Sequence, residues 1–384
     1  MDFELTEEQS MIRNTVRDFA EKEIAPVARD NSRNENFPVE LVKKMGEMGF
    51  LGLNLPAEYG GGGADYISYC VMLEELAHAD ISVATTVSAH ISLAGKSIEH
   101  WGTEQQKSKY LPKIASGEIF GCFGTTEPNV GSDVSSIETS AISKGDKWVL
   151  NGNKMWITNG GVAGVAIIIA QTDKTLGSKG ITAFIVEKDT PGFSSKDIHH
   201  KLGGRSSNTA ELVFEECSIP RENVLGAVGK GLSVALSAFD SARLGVGARS
   251  VGAAQACIDA AISYAQTRKQ FGKPIASFQL IQELLADMQV ETEAARLLVY
   301  RAAAMKDKGN SATIETSMAK YYASEVAFKV ANKALQIHGS YGYTDDYPVE
   351  RFLRDVRVSS ILEGTSQVHK LIIGRALTGI NAFT

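Results

Sequence analysis

The hydrophobic pattern changes its period twice along the chain, and this limits the fold more than any other feature of the sequence. Up to about residue 120, apolar residues recur at helical spacing, as they do through Tyr66–Ala79. From about Phe120 to Gly231, short β-branched runs separated by Gly, Lys and Pro take their place. Helical spacing then returns in long segments rich in Ala, Leu, Glu and Lys. The sequence therefore predicts an α+β multi-domain chain, with a helical domain at 1–120, a β domain at 121–230 and a helical bundle at 231–384.

Two local patterns give finer predictions. Thr6 followed by Gln9 has the form of a capping box, so a helix is expected to begin there and to run as far as Pro26. Residues 148–150 and 155–157 are apolar runs on either side of Asn151-Gly152, a pair that favours two-residue hairpin turns. We therefore expect these runs to be the two strands of a hairpin.

Charge and composition exclude several classes of protein. The net charge of −6 leaves no overall positive field that would attract a polyanion, so nucleic acid is not expected as a partner. The start, MDFELTEEQ, lacks the basic residues and apolar run of a signal peptide and is too acidic for a transit peptide. We expect the mature protein to begin at Met1 and to be cytoplasmic. No apolar stretch approaches the roughly 20 residues of a bilayer span, so membrane insertion is not expected.

The cysteines and the short glycine motifs do not match a known metal or nucleotide site. Cys70, Cys122, Cys217 and Cys257 are far apart and form no CxxC pair, which predicts reduced, mostly buried thiols and no metal site. Residues 95–97 (GKS) imitate the end of a P-loop, but the glycine required five residues earlier is absent. No HExxH or GxSxG occurs, so the sequence favours neither a metalloprotease nor a serine hydrolase.

Five short segments stand in a distinctive order along the chain: 125–128 (TTEP), 131–133 (GSD), 156–160 (WITNG), 268–272 (RKQFG) and 363–367 (EGTSQ). This order and spacing are found in acyl-CoA dehydrogenases, and the chain resembles that family over essentially its whole length. The resemblance implies an acyl-CoA dehydrogenase-like fold, with a β-barrel-like middle domain and a C-terminal four-helix bundle. It also implies FAD-dependent conversion of a short acyl-CoA to the trans-2-enoyl-CoA, with electrons passed to an electron-transferring flavoprotein, and a homotetramer.

The same resemblance implies which residues bind FAD. An indole packed against the flavin and an arginine fork on the pyrophosphate suit the shape and charge of this cofactor. The residues expected beside the flavin are Phe123, Thr125, Thr126, Ser132, Trp156, Ile157 and Thr158. Those expected to bind FAD elsewhere, some of them across a subunit contact, are Arg268, Phe271, Gln279, Gln336, Gly339, Ser340, Thr365 and Gln367, and Ser340 replaces a glycine that is usual in the family.

Glu363 is the expected catalytic base, because the family has its catalytic glutamate at this position of EGTSQ. Some relatives instead carry the base on an earlier helix, where this chain has Ala242, which cannot accept a proton. Gly364 is expected to let the substrate come close, and Ser132 is expected to contact it. Asp240 and Arg243 are expected to contact the CoA part and the pocket wall; the alternative for this pair is an ion pair on a helix surface.

The substrate is less tightly constrained. Residues 82–93 resemble the pocket-lining helix of butyryl-type enzymes and contain no arginine, which favours a short neutral acyl chain. Against this, residues 374–383 (GRALTGINAF) resemble the glutaryl and ring-carboxyl branches, so cyclic, branched and dicarboxylic acyl-CoAs stay open. An enoyl-CoA reductase or an acyl-CoA oxidase would share the fold, and fast reoxidation of the flavin in air would identify an oxidase. The direction of the reaction, the electron acceptor and the pathway are also left open.

Overall fold

The structure, a computed structural model, describes residues 4–382, and the chain ends at 1–3 and 383–384 lie outside the described residues. The last residue of the GRALTGINAF segment is therefore outside it as well. The described chain opens with helices: α1 Glu7–Phe19, α2 Ala25–Asn34, α3 Val39–Glu47, α4 Tyr66–Ala79, α5 Ile81–Ser88, α6 Lys96–Trp101 and α7 Glu104–Ala115. A π-helical turn, Ala89–Gly95, joins α5 to α6.

The first helix begins as predicted but does not end at Pro26. Both bonds of the capping box are present, since the Thr6 hydroxyl accepts from the Gln9 amide at 3.2 Å and the Gln9 side chain accepts from the Thr6 amide at 3.0 Å. A π-helical turn, Ala20–Ile24, then shifts the hydrogen-bond register. Pro26 consequently lies in the first turn of α2, where a missing N–H leaves no intrahelical bond unmade.

One twisted sheet forms the middle of the protein. Its strands are β1 Gly121–Gly124, β2 Ser140–Lys144, β3 Lys147–Thr158, β4 Val165–Gln171, β5 Ile181–Glu187, β6 Phe193–Asp197, β7 Thr209–Pro220 and β8 Val224–Leu225. Their order is β6-β7-β3-β2-β4-β5-β8, and β1 pairs with β4 in parallel. Neighbouring long strands, such as β3 with β7 and β4 with β5, are antiparallel. The β class predicted for this region is confirmed.

The predicted hairpin at Asn151-Gly152 is wrong, because β3 continues through this pair. The register of β3 against β7 shifts between Leu150 and Gly152, which makes the site a β-bulge. Gly152 has φ +138°, and an added Cβ would lie 2.8 Å from the backbone of Thr139. A bulge calls for the same unusual backbone angles as a tight turn, so the dipeptide alone does not separate the two. The turn that leads into β3 contains Gly145, with φ +65°.

Long helices follow the sheet and form a bundle. They are α8 Gly231–Thr267, α9 Gln279–Asp307, α10 Thr313–His338, α11 Val349–Val356 and α12 Ser366–Thr378, with a small hairpin of β9 Lys269–Gln270 and β10 Lys273–Pro274 between the first two. Helix α8 packs against α9, α10 and α4, and α12 packs on α10. The predicted order of helical, β and helical parts is confirmed, while the exact boundaries at 120 and 230 stay a prediction.

One large hydrophobic core joins these parts. It combines side chains of the first helices, of one face of the sheet and of the bundle, for example Leu73, Ile167 and Leu244. A second, smaller core lies on the other face of the sheet, where the Trp148 and Phe184 rings meet at 5.4 Å. The four cysteines are buried with free thiols, as predicted. No helix within residues 4–382 is both long and apolar enough to cross a membrane.

Candidate active site

Glu363 stands in a short connection that leads into α12, and its backbone is unusual. Its φ is +55° and that of Gly364 is +94°, so two consecutive residues have positive φ. Such angles are uncommon for a residue other than glycine and often accompany a functional constraint. A Cβ on Gly364 would lie 3.1 Å from Nε2 of the buried His369, so glycine is needed here for space as well.

The carboxylate of Glu363 lies among positive charges. Removal from water raises its pKa, while Arg249, Lys320 and Arg243 oppose that rise, and the result is a pKa above the ordinary value. A half-buried carboxylate with a raised pKa suits a general base that must accept a proton near neutral pH. The environment of Glu363 is therefore that of a desolvated carboxylate among cations rather than of a solvated turn residue.

Lys320 on α10 holds the backbone beside Glu363. Its fully buried ammonium group donates to the carbonyl oxygen of Gly364 at 2.6 Å. Burial lowers the pKa of Lys320 to about 7, although the negative charge of Glu363 partly offsets this. Lys320 thus fixes the positive-φ segment and places a titratable positive charge next to Glu363.

Asp240 and Arg243, both predicted to contact the substrate, form an ion pair. Nη1 of Arg243 lies 2.6 Å from Oδ1 of Asp240, whose other oxygen accepts from the Thr313 hydroxyl at 2.6 Å. The pair is not on the helix surface, since Arg243 is buried. Nε of Arg243 has no hydrogen-bond partner, which leaves one donor for a ligand.

The predicted flavin residues of the TTEP and WITNG segments are brought together at the sheet. Thr125 follows β1 and is buried, and its hydroxyl has no hydrogen-bond partner. The Met155 amide donates to the Thr126 carbonyl at 2.8 Å, which joins the two segments directly. Trp156 has φ +63° and is 60% exposed, so much of this apolar side chain is uncovered.

A buried ion pair connects the loop that contains the TTEP segment to β3. Nζ of Lys154 lies 2.6 Å from Oε1 of Glu127, and both side chains are inaccessible to solvent. Glu127 also accepts from the backbone amides of Glu138 and Thr139 at 2.7 and 2.9 Å. Lys154 donates in addition to the carbonyl of Thr125 at 3.3 Å. The pair therefore fixes the TTEP loop onto β3.

The other residues predicted beside the flavin differ in how deeply they are buried and in what they contact. Phe123 is buried on β1 and its ring packs against that of Phe239 at 6.2 Å. The side chain of Ile157 lies in the second hydrophobic core, so only its backbone is free to meet a cofactor. Thr158 is half-buried, and Ser132 is exposed.

A second group of predicted FAD residues lies at one end of the bundle, where α8 and α10 terminate. Its members are all exposed: Arg268, Phe271, Gln279, Gln336, Gly339 and Ser340. Arg268 lies over the Tyr341 ring at 5.5 Å, and the Phe271 ring is 92% exposed. Within residues 4–382, no hydrogen bond or ring contact connects this group with Trp156 or Thr125.

Thr365 and Gln367 line a cavity of about 300 Å³ beside Glu325, Phe328 and Ile361. The Thr365 hydroxyl accepts from the Val368 amide at 3.2 Å and caps α12. An exposed indole, a buried unpartnered hydroxyl, an exposed arginine and a cavity at a helix start together suit a ligand with a flat ring and phosphates. The residues present therefore fit FAD.

Three residues that shape the site were not predicted from the sequence: Arg249, Lys320 and Lys154. The sequence did contain a signal for Arg249. It is the charged residue of segment 244–254 of α8, whose other residues are all small or apolar. A charged side chain on a helix that is buried all round needs a partner. Lys320 and Lys154 had no comparable signal, since lysines at helical or strand spacing are usually solvent-exposed.

Comparisons with known proteins cover all three parts of the chain. The family models for the acyl-CoA dehydrogenase N-terminal, middle and C-terminal domains match residues 6–118, 122–217 and 229–378. A short-chain specific acyl-CoA dehydrogenase of Clostridium acetobutylicum is 47% identical over 97% of this chain and 98% of its own length.

Two solved structures have nearly the same fold. The butyryl-CoA dehydrogenase of Megasphaera elsdenii has a TM-score of 0.96 and 43% identity, over 98% of this chain and 100% of that one. A chain in a structure described as the electron transferring flavoprotein of Acidaminococcus fermentans has a TM-score of 0.97 and 46% identity, over 98% and 100% of the two chains.

Proposed function

The chain belongs to the acyl-CoA dehydrogenase family, and from this we propose that it removes an α proton and a β hydride from a short acyl-CoA to give the trans-2-enoyl-CoA. The observation that carries the proposal is the position of Glu363. Its carboxylate has a raised pKa, stands on a strained backbone and is surrounded by buried cations. The alanine at position 242 leaves Glu363 as the base among the two positions that the family uses.

The protein contributes a base, a fixed backbone and a dry surrounding. The α proton of a thioester is weakly acidic, so the carboxylate must lie close to it and away from water. Glu363 takes this proton, and its own backbone amide is free to donate to the thioester carbonyl. Lys320 keeps the Glu363-Gly364 segment in place through the bond to the Gly364 carbonyl. Gly364, which has no side chain, leaves room for the acyl carbons.

FAD is the cofactor of this family, and when bound it accepts the hydride of the β carbon and offers a hydroxyl to the thioester oxygen. Trp156 would pack against its ring system, and the buried Thr125 hydroxyl would donate to it. Arg268 would pair with its phosphates, with Phe271 beside the adenine. Gln279, Gln336, Gly339, Ser340, Thr365 and Gln367 would complete the binding of the nucleotide half.

We further propose that a second copy of the chain completes the cofactor site, in a homotetramer. The group at the end of the bundle is exposed, it shares no hydrogen bond or ring contact with the flavin group within residues 4–382, and Phe271 is 92% exposed. Such a surface is unusual unless another subunit or a ligand covers it. The reduced protein would pass its electrons to an electron-transferring flavoprotein, the type of protein named in the description of one solved relative. A cytoplasmic location stays a prediction.

The proposal is tested by anaerobic titration of the purified flavoprotein with butyryl-CoA while the oxidised flavin band is followed. We expect bleaching in the wild type and none in Glu363→Gln, because glutamine keeps the shape of the side chain but cannot accept the proton. Glu222→Gln, at an exposed residue of the 3-10 turn Arg221–Asn223, is the matched control and should bleach like the wild type. Bound FAD in every variant shows that the site is intact.

Bleaching of Glu363→Gln at the wild-type rate would rule out Glu363 as the base. A wild-type protein that stays oxidised with butyryl-CoA and with longer, branched and dicarboxylic thioesters would rule out the dehydrogenase activity. Reoxidation by air in seconds would instead identify an oxidase.

A further inference from the structure

Arg249 lies inside the protein with two nitrogen atoms that have no partner. It stands on α8 and is 3% exposed, and neither Nε nor Nη2 has a hydrogen-bond acceptor or contact with water. The other two arginines buried to this degree in the described chain each have an acceptor, although one nitrogen of each is also without a partner. Arg243 pairs with Asp240, and Arg351 donates to the Ala79 carbonyl. A buried guanidinium without an acceptor is strongly unfavourable, so a bound molecule is expected to supply one.

The direction of the Arg249 side chain follows from its place on the helix. Gly245 lies one turn before it on the same face of α8, and a Cβ at Gly245 would come within 2.3 Å of the Ser88 hydroxyl and 2.7 Å of the Tyr69 hydroxyl. This face of α8 therefore looks at α4 and α5. Side chains on a helix lean toward its N-terminus, so the Arg249 side chain extends back toward the turn that contains Gly245.

The charges that act on Arg249 and on Glu363 indicate that these two side chains lie near each other. Of the charges that act on the Glu363 carboxylate, that of Arg249 is the strongest, and Glu363 is in turn the strongest charge acting on Arg249. The next group to act on Arg249 is Tyr69. No direct ion pair joins Arg249 to Glu363 in the described part of the chain. The guanidinium is thus close to the base but separated from it, on the side of α4 and α5.

A positive charge in this place is a disadvantage for a neutral acyl chain. Arg249 opposes proton uptake by Glu363, and once Glu363 is protonated the guanidinium has lost the negative charge that balanced it. A carboxylate at the far end of the acyl chain would remove both problems. It would accept from Nε and Nη2, the geometry in which a guanidinium binds a carboxylate with two parallel bonds.

We infer that Arg249 is a specificity-determining residue, which binds a carboxylate at the end of the acyl chain and selects the CoA thioester of a short dicarboxylic acid. The inference rests on the proposed function and narrows its substrate. The lack of an arginine at 82–93 favoured a neutral chain, but Arg249 stands on the face of α8 that meets Ser88 of this segment. The distal carboxylate takes no part in bond making, since the α proton and the β hydride leave as proposed above.

The test compares thioesters that differ in the distal group. Anaerobic flavin reduction is measured with glutaryl-CoA against pentanoyl-CoA and with adipyl-CoA against hexanoyl-CoA. In the wild type we expect kcat/KM for the better dicarboxylic substrate to exceed that of its neutral partner by at least about 30-fold, the effect of one buried charge pair. Arg249→Met should abolish this preference, mainly through KM, and Arg249→Lys should keep part of it. Arg301→Met, at a side chain that is 55% exposed on α9, should keep the wild-type ratio.

Each outcome decides between the possibilities. A wild type that prefers the neutral thioesters, or a preference unchanged by Arg249→Met, overturns the role of Arg249 while leaving the dehydrogenase intact. Absence of bleaching with every thioester would instead overturn the proposed function itself. The wild-type ratio and Arg249→Lys keep the test decisive if Arg249→Met retains no FAD.

Discussion

Replacing Lys320 with methionine should make the protein more stable and less active. Burial lowers the pKa of Lys320 from its ordinary 10.5 to about 7, so keeping this group in the folded state costs about 4 kcal/mol at pH 7. Methionine fills a similar volume and avoids that cost. It also leaves the Gly364 carbonyl without its donor, which costs about 1–3 kcal/mol. The difference predicts a gain of roughly 1–3 kcal/mol in the free energy of unfolding at pH 7.

The gain in stability of Lys320→Met should decrease as the pH rises above 7. Between pH 7 and 10.5 the unfolded chain binds more protons at this lysine than the folded one, so Lys320 makes wild-type stability rise with pH in this window. Below pH 7 both states are protonated, and the full cost is present. The advantage of Lys320→Met should therefore shrink by about 2 kcal/mol from pH 7 to pH 9. Thermal melting of wild type and variant, followed by flavin release at each pH, measures this difference.

Activity should move in the opposite direction. Without the bond from Lys320 the Glu363-Gly364 segment loses its support, and we expect flavin reduction by substrate to slow about tenfold or more. Loss of a nearby positive charge also raises the pKa of Glu363 further, so the acid limb of the rate profile should move to higher pH. Lys329→Met removes an exposed lysine from the same helix and should change neither property. A Lys320→Met protein less stable than this control at pH 7 would refute the argument from burial.

Two further predictions concern the buried Glu127–Lys154 ion pair and the buried cysteines. Glu127→Gln and Lys154→Met should each lower stability by about 3 kcal/mol, and the double variant should recover part of that loss, as measured by a double-mutant cycle of melting curves. An additive double variant would mean that the pair is not coupled. The four cysteines should react with an aromatic disulfide reagent only after denaturation, because all are buried and burial raises the pKa of Cys122 to about 12. Fast reaction of a native thiol would contradict this.

The parts of the fold that follow from periodicity could be predicted, and the parts decided by competition between hydrogen-bond patterns could not. The long helices of the bundle show a 3.6-residue pattern that extends over many turns, so local signals and packing agree. The π-helical turn before Pro26 and the bulge at Gly152 are different. In both places a residue that usually ends a helix or a strand is accommodated by a one-residue change in the hydrogen-bond register. Packing along the whole helix or strand supplies the energy that favours continuing it.

The residues of the candidate site also divide into those that the sequence could identify and those that only the structure reveals. Glu363, Trp156 and Thr125 were found because they stand in motifs that resemble a known family. The charges that tune them, Arg249 and Lys320, stand outside those motifs and meet Glu363 only when α8 and α10 pack together. Their roles depend on burial and on distances between helices, which a single sequence does not contain.

The balance of charge around Glu363 connects these observations. Arg243 has Asp240 as a counter-charge, so the single carboxylate of Glu363 faces two further cations, Arg249 and Lys320. Lys320 can lose its proton near neutral pH, but a guanidinium cannot. With Lys320 neutral, the charges of Arg249 and Glu363 balance, and a positive charge would be left on Arg249 once Glu363 accepts the α proton, as proposed. A substrate that brings its own carboxylate would restore neutrality at the step where the site needs it, which is why the nature of the acyl end and the strength of the base should change together.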